Sequence, residues 1–138
     1  KNNYNYKKRS KMKKMFLLFS HTLTETQTND AKSNLSISDV ISLPFYLQEK
    51  WSNVPPEIET IKEYLLPIRN FLAENSEYED VVLIQGDFGA VYHMVNFAKE
   101  LGLKTVYATT QRTIEEIVID GKTVKKSIFE HERFREYE

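Results

Sequence analysis

The sequence predicts an α/β fold whose sheet is mostly parallel and finishes in an antiparallel hairpin. Short apolar segments alternate with segments of helical spacing along most of the chain. Two of them, 15–19 and 81–84, are apolar throughout, as expected of parallel strands covered on both faces. Near the C-terminal end, Asp120-Gly121 separates two strand-like segments, which is a hairpin signature. Strands and helices that alternate before a hairpin indicate a parallel sheet with one antiparallel edge.

The first half of the chain supplies two predicted strands and three helical segments. In order they are strand 15–19, helix 25–35, strand 37–43, a short helix over 45–51 and a long helix over 56–74. Thr24 is the predicted N-cap of the first helix, because its hydroxyl can accept an N–H of the first turn. The long helix is predicted from apolar residues at helical spacing, and Pro67 is expected to kink or split it.

The second half of the chain begins with a glycine-containing strand-to-helix junction, which is the first candidate for a ligand site. Strand 81–85 runs directly into Gly86, Asp87, Phe88 and Gly89, and helix 90–101 follows, closed by Gly102. The remaining predicted elements are strand 104–108, strand 114–119 and a final strand from residue 122. Ligands bind beyond the carboxyl ends of strands in open α/β sheets, so the Gly86–Gly89 junction is a candidate site.

Composition limits the class of protein. A length of 138 residues suggests a single domain, and the absence of cysteine excludes disulfides and a thiolate nucleophile. It also fits a reducing cytoplasm, where we expect the protein to act. The longest apolar run, 15–19, is too short to cross a membrane, so no membrane partner is expected.

Charge is distributed unevenly although the net charge is −1. Residues 1–14 carry seven Lys or Arg and no acidic residue, which leaves 12 basic and 20 acidic residues, or −8, for the rest. We interpret 1–14 as a disordered leader before a single domain over 15–138. The alternative is a basic arm that binds nucleic acid through counterion release. The acidic body argues against long nucleic acid as the ligand of the domain.

Polar residues follow three of the predicted parallel strands and would converge at one edge of the sheet. They are Ser20-His21-Thr22, Gly86-Asp87-Phe88-Gly89 and Thr109-Thr110-Gln111-Arg112. Hydroxyls, a guanidinium that can grip phosphate in a fork, and free N–H groups at a helix start suit a phosphate-bearing ligand. His21 is the candidate general acid or base, since an unperturbed histidine exchanges protons near neutrality.

Each of these residues also has a purely structural interpretation. Asp87 can cap the helix while the two glycines only form the turn, His21 can be a structural histidine, and Arg112 a surface charge. His93 lies within a helix and is assigned to packing. The sequence contains no Walker motif and no full dinucleotide fingerprint, and the histidines stand singly, so we predict neither a cofactor nor a metal.

The final strand and the single tryptophan offer further candidates. Alternation predicts that Phe129, His131, Arg133, Arg135 and Tyr137 share one face, where arginine and aromatic residues can stack bases and hold phosphates. The alternative is an exposed edge strand with charge pairs. Trp51-Ser52-Asn53 is a second candidate for adenine stacking, with a core position as the alternative for Trp51.

Several spaced motifs resemble a CRISPR-associated family, the twentieth of the Csx series, from about Met15 to the C-terminal end. They include Met15-Phe16-Leu17-Leu18-Phe19-Ser20-His21-Thr22-Leu23-Thr24, Trp51-Ser52-Asn53-Val54-Pro55-Pro56-Glu57, Ile84-Gln85-Gly86-Asp87-Phe88-Gly89-Ala90, Val106-Tyr107-Ala108-Thr109-Thr110 and His131-Glu132-Arg133-Phe134-Arg135-Glu136-Tyr137. Residues 1–14 lie outside the resemblance.

The resemblance implies an accessory protein of type III CRISPR antiviral defence with the Rossmann-like fold of cyclic-oligoadenylate sensors. It implies a homodimeric ring nuclease that binds and cleaves cyclic tetra-adenylate. We therefore expect in-line attack by the ribose 2′-hydroxyl without a divalent metal, giving linear products with a 2′,3′-cyclic phosphate. A protein that binds the ring without hydrolysis, as a sensor or sponge, is the alternative.

The site residues expected on this hypothesis fall into two groups. The catalytic candidates are Ser20, His21 and Arg112. The ligand-binding candidates are Thr24, Gly86, Asp87, Phe88, Gly89, Thr109, Thr110, Gln111 and Arg133.

Overall fold

The computed structural model describes residues 12–138. In this part of the chain five strands form one mixed sheet, and four helices cover its two faces. In chain order they are β1 (Lys13–Leu18), α1 (Glu25–Asn34), β2 (Ile37–Ser42), α2 (Phe45–Ser52), α3 (Leu66–Asn75), β3 (Val81–Ile84), α4 (Phe88–Glu100), β4 (Lys104–Ile119) and β5 (Lys122–Glu136). The strand order is β2-β1-β3-β4-β5. Strands β2, β1, β3 and β4 pair in parallel, and β4 pairs with β5 antiparallel, which confirms the predicted mostly parallel α/β sheet with a C-terminal hairpin.

Two apolar layers cover the sheet because successive side chains of a strand point to opposite faces. Phe16 and Leu18 of β1 pack with helices α2, α3 and α4 on one face. Met15 and Leu17 pack with α1 on the other face, where Phe134 of β5 joins them. The central strands are therefore buried on both sides, as their continuous apolar sequence predicts.

Local signals predicted the helix start and the hairpin turn correctly. The Thr24 hydroxyl accepts the N–H of Gln27 and the Gln27 side chain accepts the N–H of Thr24, a reciprocal capping box. Asp120 and Gly121 have φ of 53° and 76°. Positive φ at both positions is the geometry of the tight turn that matches the twist of a two-stranded hairpin.

The predicted long helix over 56–74 is wrong. Regular helix covers only α3, and turns occupy most of the preceding segment. Pro67 lies in the first turn of α3, where its missing N–H costs no intrahelical bond, instead of in a helix interior. The hydroxyl of Tyr64 donates to the backbone oxygens of Lys50 and Asn53 and so ties the turns to α2.

The first strand begins two residues earlier than the predicted strand 15–19. β1 begins at Lys13, so Lys13 and Lys14 belong to the sheet and not to a leader. Lys14 donates its backbone N–H to Asp80 and its Nζ to the backbone oxygen of Asn75. The rest of the predicted leader, 1–11, lies outside the described residues.

Strand β4 is much longer than predicted. It pairs with β3 only over Lys104 to Val106, and pairs with β5 from Val106 to Ile119. Residues 110–129 therefore extend from the sheet as a two-stranded segment, here called the hairpin arm.

The alternation predicted for β5 is broken by a β-bulge. Thr109 pairs with Arg133 and Thr110 with His131, which leaves Glu132 as the extra residue. His131 is consequently turned to the same face as Phe134, with ring centroids 4.8 Å apart. The prediction that His131 shares a face with Arg133, Arg135 and Tyr137 is wrong for this reason.

Candidate functional site

A cleft of about 570 Å³ lies beyond the carboxyl ends of β1 and β3. Ser20, the segment from Trp51 to Glu57, Gly86 and Asp87 line it, and we call it the carboxyl-edge cleft. Two of the three predicted strand ends, those of β1 and β3, therefore meet as expected. This is the position at which open α/β sheets bind ligands.

Trp51 forms the floor of this cleft and is not a free stacking surface. Its side chain is buried, and its Nε1–H donates to the backbone oxygen of Gln85 at 3.0 Å. A Cβ placed on Gly86 would lie 3.0 Å from Trp51 Nε1. Gly86 is thus required for the close approach of the indole to the β3–α4 turn, a packing role that the local sequence did not reveal.

The N-cap residue of α4, Asp87, lines the cleft, whereas the predicted ligand contacts Phe88 and Gly89, which follow it in the first turn, do not. Asp87 caps the helix, since its Oδ2 accepts the N–H of Ala90 at 3.0 Å. The N–H groups of Phe88 and Gly89, in the same first turn, have no intrahelical acceptor by geometry. Both residues are exposed, and such N–H groups together with the helix dipole favour an anion.

A hydrogen-bonded frame holds the end of β1 beside this turn. The Ser52 hydroxyl donates to the Ser20 hydroxyl at 3.0 Å, and the Gln48 amide donates to the backbone oxygen of Phe19. On the other side, the Tyr137 hydroxyl donates to the backbone oxygen of Ile84 at 2.6 Å. Burial raises the pKa of the Tyr137 phenol, and Tyr107 adds to the effect, so the phenol stays a donor at neutral pH.

His21 lies in a separate recess next to the carboxyl-edge cleft. The recess, about 350 Å³, is lined by the ends of β1 and β2 and shares Ser20 with the cleft. The imidazole is exposed and meets the Phe19 ring edge-on at a centroid distance of 5.3 Å. Ser20 therefore lines both cavities and lies between His21 and the β3–α4 turn.

The predicted contribution of the β4 end is not found at the cleft. Thr109, Thr110, Gln111 and Arg112 lie within β4, because the strand continues past Ala108. The Thr109 hydroxyl bonds the backbone of Arg133, and Arg112 donates to the Ser127 hydroxyl with its guanidinium 6.0 Å from the Phe129 ring centre. None of these residues, nor Arg133, lines the carboxyl-edge cleft.

Thr24, Gln85 and Asn53 each have a side chain engaged in a hydrogen bond within the fold. Thr24 is occupied as the cap of α1, so its hydroxyl is engaged in the helix. Gln85 is the last residue of the predicted strand 81–85, and its side chain accepts the N–H of Ala108 at 2.6 Å and so bridges β3 to β4. Asn53, named only with Trp51, lines the cleft while its amide donates to the backbone oxygen of Glu49.

A buried contact between a histidine and a carboxylate lies on the face of the sheet that α1 covers. His131 Nε2 is 2.7 Å from Asp30 Oδ2, and the His131 side chain is 5% exposed. Burial raises the pKa of the Asp30 carboxyl, but hydrogen bonds from Asn34 and His131 outweigh burial, and the net pKa lies below its usual value. The pair joins α1 to the bulge in β5.

Residues 12–138 hold no group of three or more His, Asp or Glu side chains arranged to bind a metal ion. Over the same residues, no helix is long and apolar enough to span a membrane.

Comparison with known proteins gives a clear family and one close relative. The chain belongs to the uncharacterized protein MJ1673 family, which matches residues 13–135. It is 52% identical over 126 residues to the uncharacterized protein MJ1673 of Methanocaldococcus jannaschii, covering 91% of this chain and 98% of the relative. No solved structure matches. Neither name states an activity.

Proposed function

We propose that this member of the MJ1673 family binds a cyclic oligoadenylate, with cyclic tetra-adenylate as the expected ring, in the carboxyl-edge cleft and cleaves it. The observation that carries the proposal is the cleft itself. It places Asp87, the N-cap of α4, beside Ser20 at the adjacent strand end, and the first-turn N–H groups of Phe88 and Gly89 follow directly after Asp87. That combination suits a phosphodiester, and in this proposal the fold is Rossmann-like, with the nucleotide at the edge where such folds bind it.

The size of the cleft supports binding as a homodimer. A volume of about 570 Å³ is that of a pocket for one drug-sized ligand, so one protomer grips only part of a four-nucleotide ring. A two-fold dimer presents the same cleft twice to a ring of approximate rotational symmetry. The hairpin arm supports self-association, since Ile114, Val118 and Phe129 are exposed on it and an isolated two-stranded hairpin is marginally stable.

The proposed reaction is an internal transesterification. The ribose 2′-oxygen forms a bond to the adjacent phosphorus while the bond from phosphorus to the 5′-oxygen breaks. A base takes the 2′-hydroxyl proton, the leaving 5′-oxygen gains a proton, and the product ends in a 2′,3′-cyclic phosphate. Holding the 2′-hydroxyl in line supplies several kcal/mol of the barrier reduction, up to about 7–11 kcal/mol in ideal intramolecular cases.

The residues divide between positioning and proton transfer. Ser20 and the N–H groups of Phe88 and Gly89 would hold the phosphate and stabilise the charge that grows on its oxygens. His21, which adjoins the cleft through Ser20, would transfer the proton, an effect worth about 10²–10⁴-fold. Arg112 has no part in this arrangement because it lies in the hairpin arm.

Binding without cleavage is the second candidate function. It is favoured by one observation: His21 lies in the neighbouring recess and does not line the carboxyl-edge cleft. A cleft that holds the ring without an acid or base at the scissile phosphate would act as a sensor or sponge.

The test is incubation with cyclic tetra-adenylate in EDTA, followed by chromatographic separation of the products. We expect linear adenylates with a 2′,3′-cyclic phosphate, a loss of about 10²-fold or more for His21→Ala, and unchanged cleavage for the control Lys32→Ala at an exposed position of α1, away from the cleft and the arm. If the ring binds with saturation but stays intact, the protein acts as a sensor or sponge and not as a ring nuclease. A ring that neither binds nor is cut would overturn the proposal.

A further inference from the structure

A second polar groove lies on the helical face formed by α3 and α4. It has a volume of about 230 Å³ and shares no lining residue with the carboxyl-edge cleft. Lys62, Arg69 and His93 contribute three basic side chains to it, and Glu100 contributes its one carboxylate. We propose that this groove binds a phosphate group, held jointly by Arg69, Lys62 and His93.

Arg69 is fixed in place but has its hydrogen-bonding capacity unused. Its guanidinium stacks on the Phe97 ring with Cζ 4.4 Å from the ring centre. Within residues 12–138 it forms no hydrogen bond or ion pair, and its Nε is buried without a partner. A guanidinium held by stacking offers a rigid fork of donors, which matches phosphate oxygens better than a flexible ammonium does.

His93 presents a second unsatisfied nitrogen to the same groove. Its Nε2 is buried without a hydrogen-bond partner in the described chain. Burial lowers the pKa of this imidazole, and the positive charges of Arg69 and Lys62 lower it further against a smaller opposing effect of Glu100. The packing role that the sequence predicts for His93 leaves this nitrogen unsatisfied.

The donors outnumber the acceptors at this groove. Lys62 is exposed and forms no ion pair among the described residues. The Asn96 amide is already engaged, since its Nδ2 donates to the backbone oxygen of Tyr92 at 3.0 Å. An unpartnered buried polar group costs free energy, so an anion between Arg69, Lys62 and His93 would be stabilised. Three donor groups match the three terminal oxygens of phosphate, whereas a carboxylate has only two.

The binding test uses NMR of the His93 imidazole, titrated with inorganic phosphate at an ionic strength held constant with chloride. A bound anion favours the charged imidazolium, so phosphate is expected to raise the pKa of His93 with saturation in the range of about 1–10 mM. Arg69→Gln is expected to weaken binding about tenfold or more, and Lys62→Gln to weaken it less. The matched control is Lys32→Gln in α1, on the opposite face of the sheet, which should leave the titration unchanged.

Two further ligands identify the source of the phosphate. If adenosine monophosphate binds more tightly than inorganic phosphate, the groove takes the phosphate of a nucleotide. If the two bind equally well, it takes the free phosphate ion. Acetate that saturates as phosphate does would overturn the phosphate assignment. The proposal also fails if no saturable change occurs, or if Arg69→Gln and Lys62→Gln both titrate like the parent. The imidazole reports this groove directly, so the result is independent of ring cleavage.

Discussion

Strand β4 passes through two different environments, and the comparison between them explains much of this molecule. Thr105 and Val106 lie between β3 and β5 and are buried. From Thr110 to Glu116 every residue of the same strand is exposed, and only β5 pairs with it. Both parts form backbone hydrogen bonds with a neighbouring strand, so hydrogen bonding alone does not explain the difference in their exposure.

What differs is the apolar contact above and below the strand. The sheet body is covered by two apolar layers, whereas the hairpin arm exposes Ile114, Val118 and Phe129. Packing supplies most of the stability of a β-strand, so the arm is expected to open at low free energy while the body opens only with global unfolding. The arm is accordingly the part that a second copy of the chain would most stabilise.

Truncation of a matched pair of phenylalanines gives the largest expected contrast. Phe16 in β1 is fully buried, and Phe129 in the arm is 64% exposed. At protein concentrations low enough to keep the chain monomeric, Phe16→Ala should lower the free energy of unfolding by about 3–5 kcal/mol, and Phe129→Ala by no more than about 0.5 kcal/mol. Urea unfolding monitored by the fluorescence of Trp51 measures both. A comparable loss for Phe129→Ala would mean that the arm is packed in solution, and its dependence on protein concentration would then identify a dimer.

The two glycines of the β3–α4 turn provide a contrast of intermediate size. A Cβ on Gly86 would press against Trp51 Nε1 at 3.0 Å, so Gly86→Ala should lower the free energy of unfolding by about 1–3 kcal/mol. A Cβ on Gly89 would meet Ile61 Cδ1 at 3.4 Å, an ordinary contact, and Gly89 lies within α4. Gly89→Ala should therefore raise stability, by up to about 1 kcal/mol.

The same urea experiment decides the glycine comparison, because both variants add one methyl group to one turn. Destabilisation by both would mean that the backbone at Gly89 is restricted by more than its neighbours. Tolerance of Gly86→Ala would contradict the close approach of Trp51 to the turn. Neither substitution removes a backbone N–H, so anion binding at the start of α4 remains testable in the stabilised variant.

Features set by neighbouring residues were predictable from the sequence. The Thr24 cap, the Asp87 cap and the Asp120-Gly121 turn each depend on residues within three or four positions. The juxtaposition of Ser20 with Gly86 and Asp87 also followed, because parallel strands bring their carboxyl ends to one edge of a sheet.

Features set by distant partners were not predictable. The end of β4 depends on β5, which continues the pairing through Thr109 to Arg112 and so removes them from the cleft. Apolar residues at helical spacing before α3 suggest a longer helix, yet Ile61 packs on the same core from a position without regular secondary structure. The side-chain period of two along β5 contains no signal for the bulge at Glu132.

Strand β5 meets α1 where the sheet body gives way to the arm, and there the Asp30–His131 pair gives the smallest expected effect. The Asp30 carboxyl has a pKa lowered in the folded state, so its ionised form contributes stability above the pKa of the unfolded chain, about 4. That contribution is lost as the pH falls through the lowered pKa. Asp30→Asn should be about 1 kcal/mol less stable than the parent at pH 7, with the difference narrowing in acid.

Urea unfolding at a series of pH values measures this effect, with Asp39→Asn at an exposed position of β2 as the matched control. The control removes a carboxylate without disturbing α1 or β5, so its difference from the parent should stay near zero throughout. A constant deficit for Asp30→Asn at all pH values would assign the loss to packing instead of to the carboxylate charge. A deficit in the free energy of unfolding that narrows in acid only for Asp30→Asn would show that the ionised carboxylate, and not apolar contact alone, joins α1 to the bulge at which the arm begins.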